Sequence, residues 1–227
     1  MTLWIDRSIN FFKYPVALLA MVNLAFFGQK SLLFIGKSFQ GDGLYFWAGT
    51  FCYAVMWKIL FSQRYVGSFL PTLIHELIHA LVAVLTLHRV VDFMVRWEKG
   101  GHIRYVGGTG NWLITIAPYF FPLAFCFVAL VSFLIEIPSP EKEMFFGVVW
   151  GFESMFQWKQ LHWKQPDLAE VGFIFVGLFL PTAIFLSQCL IFGLMFQGFS
   201  SLPTLWADCI AYNQNLYQWL MKGILSF

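Results

Sequence analysis

Residues 66–87 read VGSFLPTLIHELIHALVAVLTL, and inside that run stands His75-Glu76-Leu77-Ile78-His79. The run is long and apolar enough for a membrane helix, since about 20 residues rising 1.5 Å each cross the hydrocarbon core. Two histidines four residues apart lie on one face of such a helix, about 6 Å apart along its axis. They can share one Zn²⁺, with Glu76 on a neighbouring part of the turn, placed to take a proton from water on that metal. Ionisable groups in a membrane helix are costly and normally face a partner or a water-filled cavity. Three of them within five residues mark a functional centre.

Outward from this helix the chain keeps the same character. Of its 227 residues, 59% are hydrophobic and 11% charged, whereas a soluble domain carries about a quarter charged residues. Apolar stretches lie at about residues 14–35, 44–62, 66–87, 111–136 and 169–197, with weaker segments at about 143–158 and 202–222. The 143–158 segment is short and carries Glu153, which reads as half of a broken helix or an interfacial segment. The last segment mixes Trp206, Tyr212, Tyr217 and Trp219 with Asn213, Gln214 and Asn215, the pattern of an interfacial or cavity-lining helix.

The expectation is an all-α polytopic membrane protein of about six transmembrane helices, with a small β-hairpin after the HExxH helix. It forms a single membrane domain over residues 1–227: N-terminal helices over 1–65, a core over 66–197, and an amphipathic or transmembrane helix over 198–227. Met1 to Lys13 is charged and runs into the first apolar segment without a small-x-small cleavage site, so a retained first helix is expected. The location is a membrane, crossed several times, and the cell membrane if the source is bacterial. A net charge of +2 gives no reason to expect nucleic acid. Cys52, Cys126, Cys189 and Cys209 sit in apolar segments without CxxC spacing and read as inert thiols.

Directly after the HExxH helix the texture changes. Val90 to Trp97 is β-branched and aromatic, Glu98-Lys99-Gly100-Gly101 reads as a turn, and His102 to Val106 as a second strand. The hairpin either offers its edge to an extended peptide as an added strand or merely connects two helices. Arg89, Arg96, Lys99 and Arg104 crowd this loop, which places it on the cytoplasmic side; Lys37, Lys159, Lys164 and Lys222 share that side if 143–158 crosses.

A catalytic zinc site usually has three protein ligands and an open position. His88 is too far along the same helix to fold back. The remaining candidates are His102, Glu153, His162, Asp167 and Glu170. Asp167 follows Pro166, which interrupts any incoming helix, just before the next long span; it suits a metal ligand and a helix N-cap equally well.

The order of features resembles the site-2 protease family of intramembrane zinc metalloproteases. His75-Glu76-Leu77-Ile78-His79 matches the family's HExxH helix, and residues 90–106 its hairpin. Gly107-Gly108-Thr109-Gly110-Asn111, leading into the span with Pro118 and Pro122, resembles its glycine-rich opening of the second core helix. Pro166-Asp167 resembles, loosely, its Pro-x-Asp-Gly break. The similarity covers about residues 66–197. It departs in having no Gly after Asp167 and Lys159 where an Asn would stand eight residues before it; Gln157 and Gln160 are the nearest amides.

The resemblance implies one Zn²⁺ per chain held by His75, His79 and Asp167, with Glu76 as the general base. Asn111 is a candidate for orienting substrate or for capping a helix. The implied activity is hydrolysis of peptide bonds in membrane-embedded or membrane-adjacent substrates, with the lipid bilayer as surroundings and control left to a regulator protein or to the extra helices. The alternative is a non-proteolytic membrane protein with a structural or transport metal site, for which a base between the two histidines would serve no purpose.

Overall fold

Two long apolar helices frame the protein: α2 (Lys13–Lys37), preceded by α1 (Thr2–Phe11), and α9 (Phe173–Gln197), which continues through a short 3₁₀ turn into α10 (Ser201–Leu225). The structure is a computed structural model and describes residues 1–41, 43–61, 66–96, 100–135 and 137–225. Apolar helices gain little by burial in one another inside lipid, so their contacts are closed by polar groups and small residues. Thr182 donates to the Ala20 carbonyl at 2.8 Å and Ser31 to the Phe185 carbonyl at 2.9 Å, which pins α9 along α2.

A second pair flanks the site. Helix α3 (Gly43–Met56) ends in a π-helical turn, Trp57–Phe61, and packs along α7 (Ser139–Gln160). The backbones touch, because a Cβ at Gly49 would overlap the Met144 carbonyl and one at Gly147 the Phe46 carbonyl. Thr50 bridges the two helices, donating towards the Phe46 and Gly147 carbonyls at 3.0 and 3.1 Å.

The HExxH run forms α4 (Val66–Leu85). Its buried Ile78, Val82 and Ala83 pack against Ile114 and Ala117, which fixes the rotation of the helix and turns the histidine face towards the second core segment. That segment was expected as one span over 111–136, and the chain breaks it instead. Helix α5 (Trp112–Ile116) and a 3₁₀ turn, Ala117–Tyr119, are followed by α6 (Leu123–Leu134) at a bend of 74°. Pro122 brings no N–H to continue the helix, and the groups freed at the bend find side-chain partners, as burial in lipid demands. The Phe120 carbonyl accepts the Ser187 hydroxyl, and buried Glu153 of α7 accepts the Phe125 N–H at 3.1 Å.

The expected count of six spans is not reached by length and composition. Among the described residues two helical runs, Lys13–Lys37 and Phe173–Lys222, pass, and a third if the bent pair counts as one. Two elements fall short for physical reasons: α3 has 14 residues, and α7 carries Glu141, Lys142, Glu143, Glu153 and Lys159. Nor is 143–158 half a helix, since α7 is unbroken over 22 residues.

The hairpin is present as β1 (Arg89–Arg96) and β2 (Gly100–Val106), antiparallel, with Arg96 opposite Gly100 and a bulge at Val90–Asp92. Gly100 and Gly101 belong to the second strand, not to the turn; Trp97, the last residue of the expected first strand, and Glu98 and Lys99 of the expected turn lie outside the described residues. The fold is mostly helical with this one small sheet.

Candidate metal centre

α4 places His75 and His79 one turn apart, and each ring is held from behind. The His79 Nδ1–H donates to the Ile114 carbonyl at 2.7 Å, and the His75 Nδ1–H to Gln160 Oε1 at 2.7 Å. A ring whose Nδ1 is a donor presents a bare Nε2 lone pair. The two Nε2 atoms stand 3.0 Å apart. Two bare lone pairs at that distance repel unless a cation lies between them.

Asp167 completes the triangle. It sits in the first turn of the short helix α8 (Pro166–Val171), where Gln165 is the cap residue and makes no side-chain cap bond. The Asp167 carboxylate is therefore not committed to capping. Its Oδ2 lies 3.3 Å from His75 Nε2 and 3.5 Å from His79 Nε2, and accepts the Tyr119 hydroxyl at 3.0 Å. Three donors each about 2.05 Å from a tetrahedral zinc lie about 3.3 Å from one another. The separations of 3.0, 3.3 and 3.5 Å match that base triangle, and imidazole with carboxylate is a donor set that zinc accepts. Among the described residues these three form the group of metal-ligating side chains close enough to share an ion.

Glu76 is buried beside the triangle and lines the same cavity, of about 500 Å³. Strand β2 forms the opposite wall through Gly101 and His102. Gly101 lies so close to Glu76 that an added Cβ would stand 2.7 Å from Glu76 Cγ and 3.0 Å from the Met94 carbonyl.

The other sequence candidates go elsewhere. Glu153 is the acceptor at the α6 N-terminus, and His102, although it lines the cavity, pairs with Asp92 at 3.1 Å. Glu170 lines the cavity rim, while His162 is exposed in the turn before α8. Asn111 is the helix cap of its two alternatives. Its Oδ1 accepts the Ile114 N–H at 3.2 Å and its amide donates to buried Asp6 at 2.7 Å, so both ends are taken and it does not line the cavity. Asp6 also accepts from the N–H groups of Thr109 and Gly110 and contacts His88 at 3.1 Å, tying α1 to the glycine-rich stretch. Tyr119 and the Ile114 carbonyl were not foreseen. Gln160 was named only as a nearby amide, and its bond to His75 was unsuspected. The Ile114 carbonyl has a local signal, since Pro118 four residues on brings no N–H to it, whereas Tyr119 and Gln160 have none, because the partner that gives each its role is far away in the chain.

A helix presenting two oriented imidazoles and a carboxylate base, closed by an aspartate from a distant segment, defines the metallopeptidase class of arrangement. The comparison with known families is more specific. Residues 47–180, more than half of the chain, match the model of the Peptidase M50B-like family, and the protein belongs to that site-2 protease family. Membership makes it a protease, of a family that is zinc-dependent in general. The match begins at residue 47 and ends at 180, so it takes in α3, which the resemblance over 66–197 had left out, and stops short inside α9. No curated protein and no solved structure matches the chain.

Proposed function

We propose that the protein is an intramembrane zinc endopeptidase that cuts membrane-embedded or membrane-adjacent peptides. The observation that carries this reading is the convergence of His75 Nε2, His79 Nε2 and Asp167 Oδ2 on one point beside buried Glu76. One Zn²⁺ held there would polarise the scissile carbonyl and bring the pKa of water towards neutrality. Glu76 takes the proton from the attacking water and passes it to the leaving amine. Gln160 and the Ile114 carbonyl keep both rings in the tautomer that faces inward, and the Tyr119 hydroxyl steadies Asp167.

The substrate enters as an extended strand, because a helical peptide bond is shielded by its own turn. Strand β2 lies along the cavity and supplies a backbone against which such a strand pairs. In this reading α3, α4 and α7 cross the bilayer together with the longer helices, and the protein is multi-pass.

The test is Glu76→Gln, in which an amide replaces the proton acceptor. Zinc content and folding should match wild type while peptide cleavage falls below detection. Cleavage at the wild-type rate would remove Glu76 from the chemistry and favour a structural or transport role for the metal.

A further inference from the structure

We infer that a second cavity, next to the metal centre, is a subsite for one large apolar side chain of the substrate, adjacent to the scissile bond. The inference rests on the proteolytic reading above. The cavity measures about 260 Å³ and lies between α3, α4 and α7. Pockets for whole drug-sized ligands begin at about 300 Å³, so this one suits a single side chain.

Its walls are aromatic. The Tyr53 and Phe152 rings meet edge to face at 6.1 Å, Phe152 stacks on Phe156 at 6.0 Å, and Trp57 follows Tyr53 at 6.3 Å. Such faces favour an aromatic or long aliphatic group, whereas a cationic one would be stripped of water beside the Lys159 charge. The Lys159 ammonium sits 3.8 Å from the Trp57 ring centroid and caps one rim with its charge.

Two features tie this cavity to the chemistry. First, Thr72 and Gln160 line both cavities, so the two are contiguous. Thr72 is three residues before His75 on α4, about 4.5 Å along the helix axis, while neighbouring residues of an extended peptide are about 3.3 Å apart. A strand with its scissile bond at the metal centre therefore reaches this cavity with a side chain one or two residues away. Second, the Phe156 ring, part of the wall of this cavity, lies 6.4 Å from the His75 ring. Trp57 is delivered to the wall by the π-helical turn that ends α3, a distortion often found at functional sites.

The experiment has two arms. In the first, zinc-loaded wild type, Phe152→Ala and Phe152→Trp cleave a peptide series carrying Ala, Leu, Phe or Trp at each position flanking the cut. Wild type should prefer Phe to Ala by on the order of 10- to 100-fold in kcat/KM at one position. Phe152→Ala should shift the preference to Trp, and Phe152→Trp should abolish most of it. In the second arm, Glu76→Gln protein is irradiated with a peptide bearing a diazirine on an aliphatic side chain at that position. Adducts should map to Tyr53, Phe152 or Phe156. Cleavage with the same side-chain preference in all three proteins overturns the subsite and leaves proteolysis standing. Adducts elsewhere, or none because a lipid chain holds the cavity, also overturn it. Adducts on these residues with no cleavage by wild type would overturn the hydrolytic reading and with it the role beside a scissile bond, leaving a cavity that only binds apolar side chains.

Discussion

Gly101→Ala is the sharpest test of how the hairpin serves the site. The backbone at Gly101 is not in the left-handed region, so alanine fits its conformation. Space is the difficulty. The new methyl would stand 2.7 Å from Glu76 Cγ, whereas carbon atoms rest at about 3.5–4.0 Å. It cannot retreat freely, since the Met94 carbonyl of the paired strand lies 3.0 Å away on β1. Glu76 or the hairpin must therefore move by roughly 1 Å. A 1 Å misplacement of a catalytic group costs about 100-fold in rate, equivalent to about 2.7 kcal/mol of barrier. His75, His79 and Asp167 are not among the atoms nearest to the new methyl, so if they hold zinc as proposed its content should stay at about one ion per chain. Purified protein would be assayed for zinc by mass spectrometry and for peptide cleavage in parallel. A variant that keeps zinc and cleaves at the wild-type rate would refute the claim that β2 sets the position of Glu76.

Other substitutions separate the remaining roles. Asp167→Asn should lower zinc affinity and abolish cleavage, whereas a mere helix cap would tolerate the amide with little change; equilibrium dialysis decides. Gln160→Ala should leave folding intact and weaken zinc binding by about 10- to 100-fold, because the His75 ring loses its rear hydrogen bond. Unaltered zinc affinity would make that contact incidental. Asp6→Ala should lower the melting temperature by roughly 10 °C, since it orphans His88 and the Thr109, Gly110 and Asn111 donors in one step. Burial alone would raise the Asp6 carboxyl, but the hydrogen bond from Asn111 and the neighbouring His88 outweigh it and hold it below its ordinary value. Its stabilisation should then be complete above the unfolded-state pKa of about 3.9 and fade as pH drops through the lower folded value, which acid titration of the melting temperature checks.

The HExxH helix and the hairpin were legible because each is a local pattern: a four-residue repeat on one face, and two β-branched runs around glycines. Asp167 was legible only in part. Its carboxylate could cap the next helix or turn inward, and the choice depends on His75, His79 and Tyr119, which approach from other segments. Asn111 shows the opposite case, where a polar residue at a helix start is taken by its own helix and by Asp6. The bend at residues 120–122 had its signal in Pro118 and Pro122, but hydropathy alone smooths over prolines. The span count is not confirmed by length and composition for a related reason. Composition sees the acidic residues of α7 as unfit for lipid, while the fold turns Glu153 inward onto the freed N–H of Phe125.

That bend also explains how an apolar chain can hold a polar centre at all. The Ile114 carbonyl has no backbone partner four residues on, because that residue is Pro118 and brings no N–H. That carbonyl is left to accept from His79 at 2.7 Å, and Tyr119, just before the chain turns by 74°, reaches Asp167. The cost of breaking the helix is offset by Ser187 and Glu153, which satisfy the groups freed on the far side. Histidine orientation, aspartate support and the helix break are thus one construction. Pro118→Ala, which supplies the missing N–H as a competing donor to Ile114, should weaken zinc binding without touching any of the three side chains that surround the metal position, and unchanged zinc affinity in equilibrium dialysis would refute this.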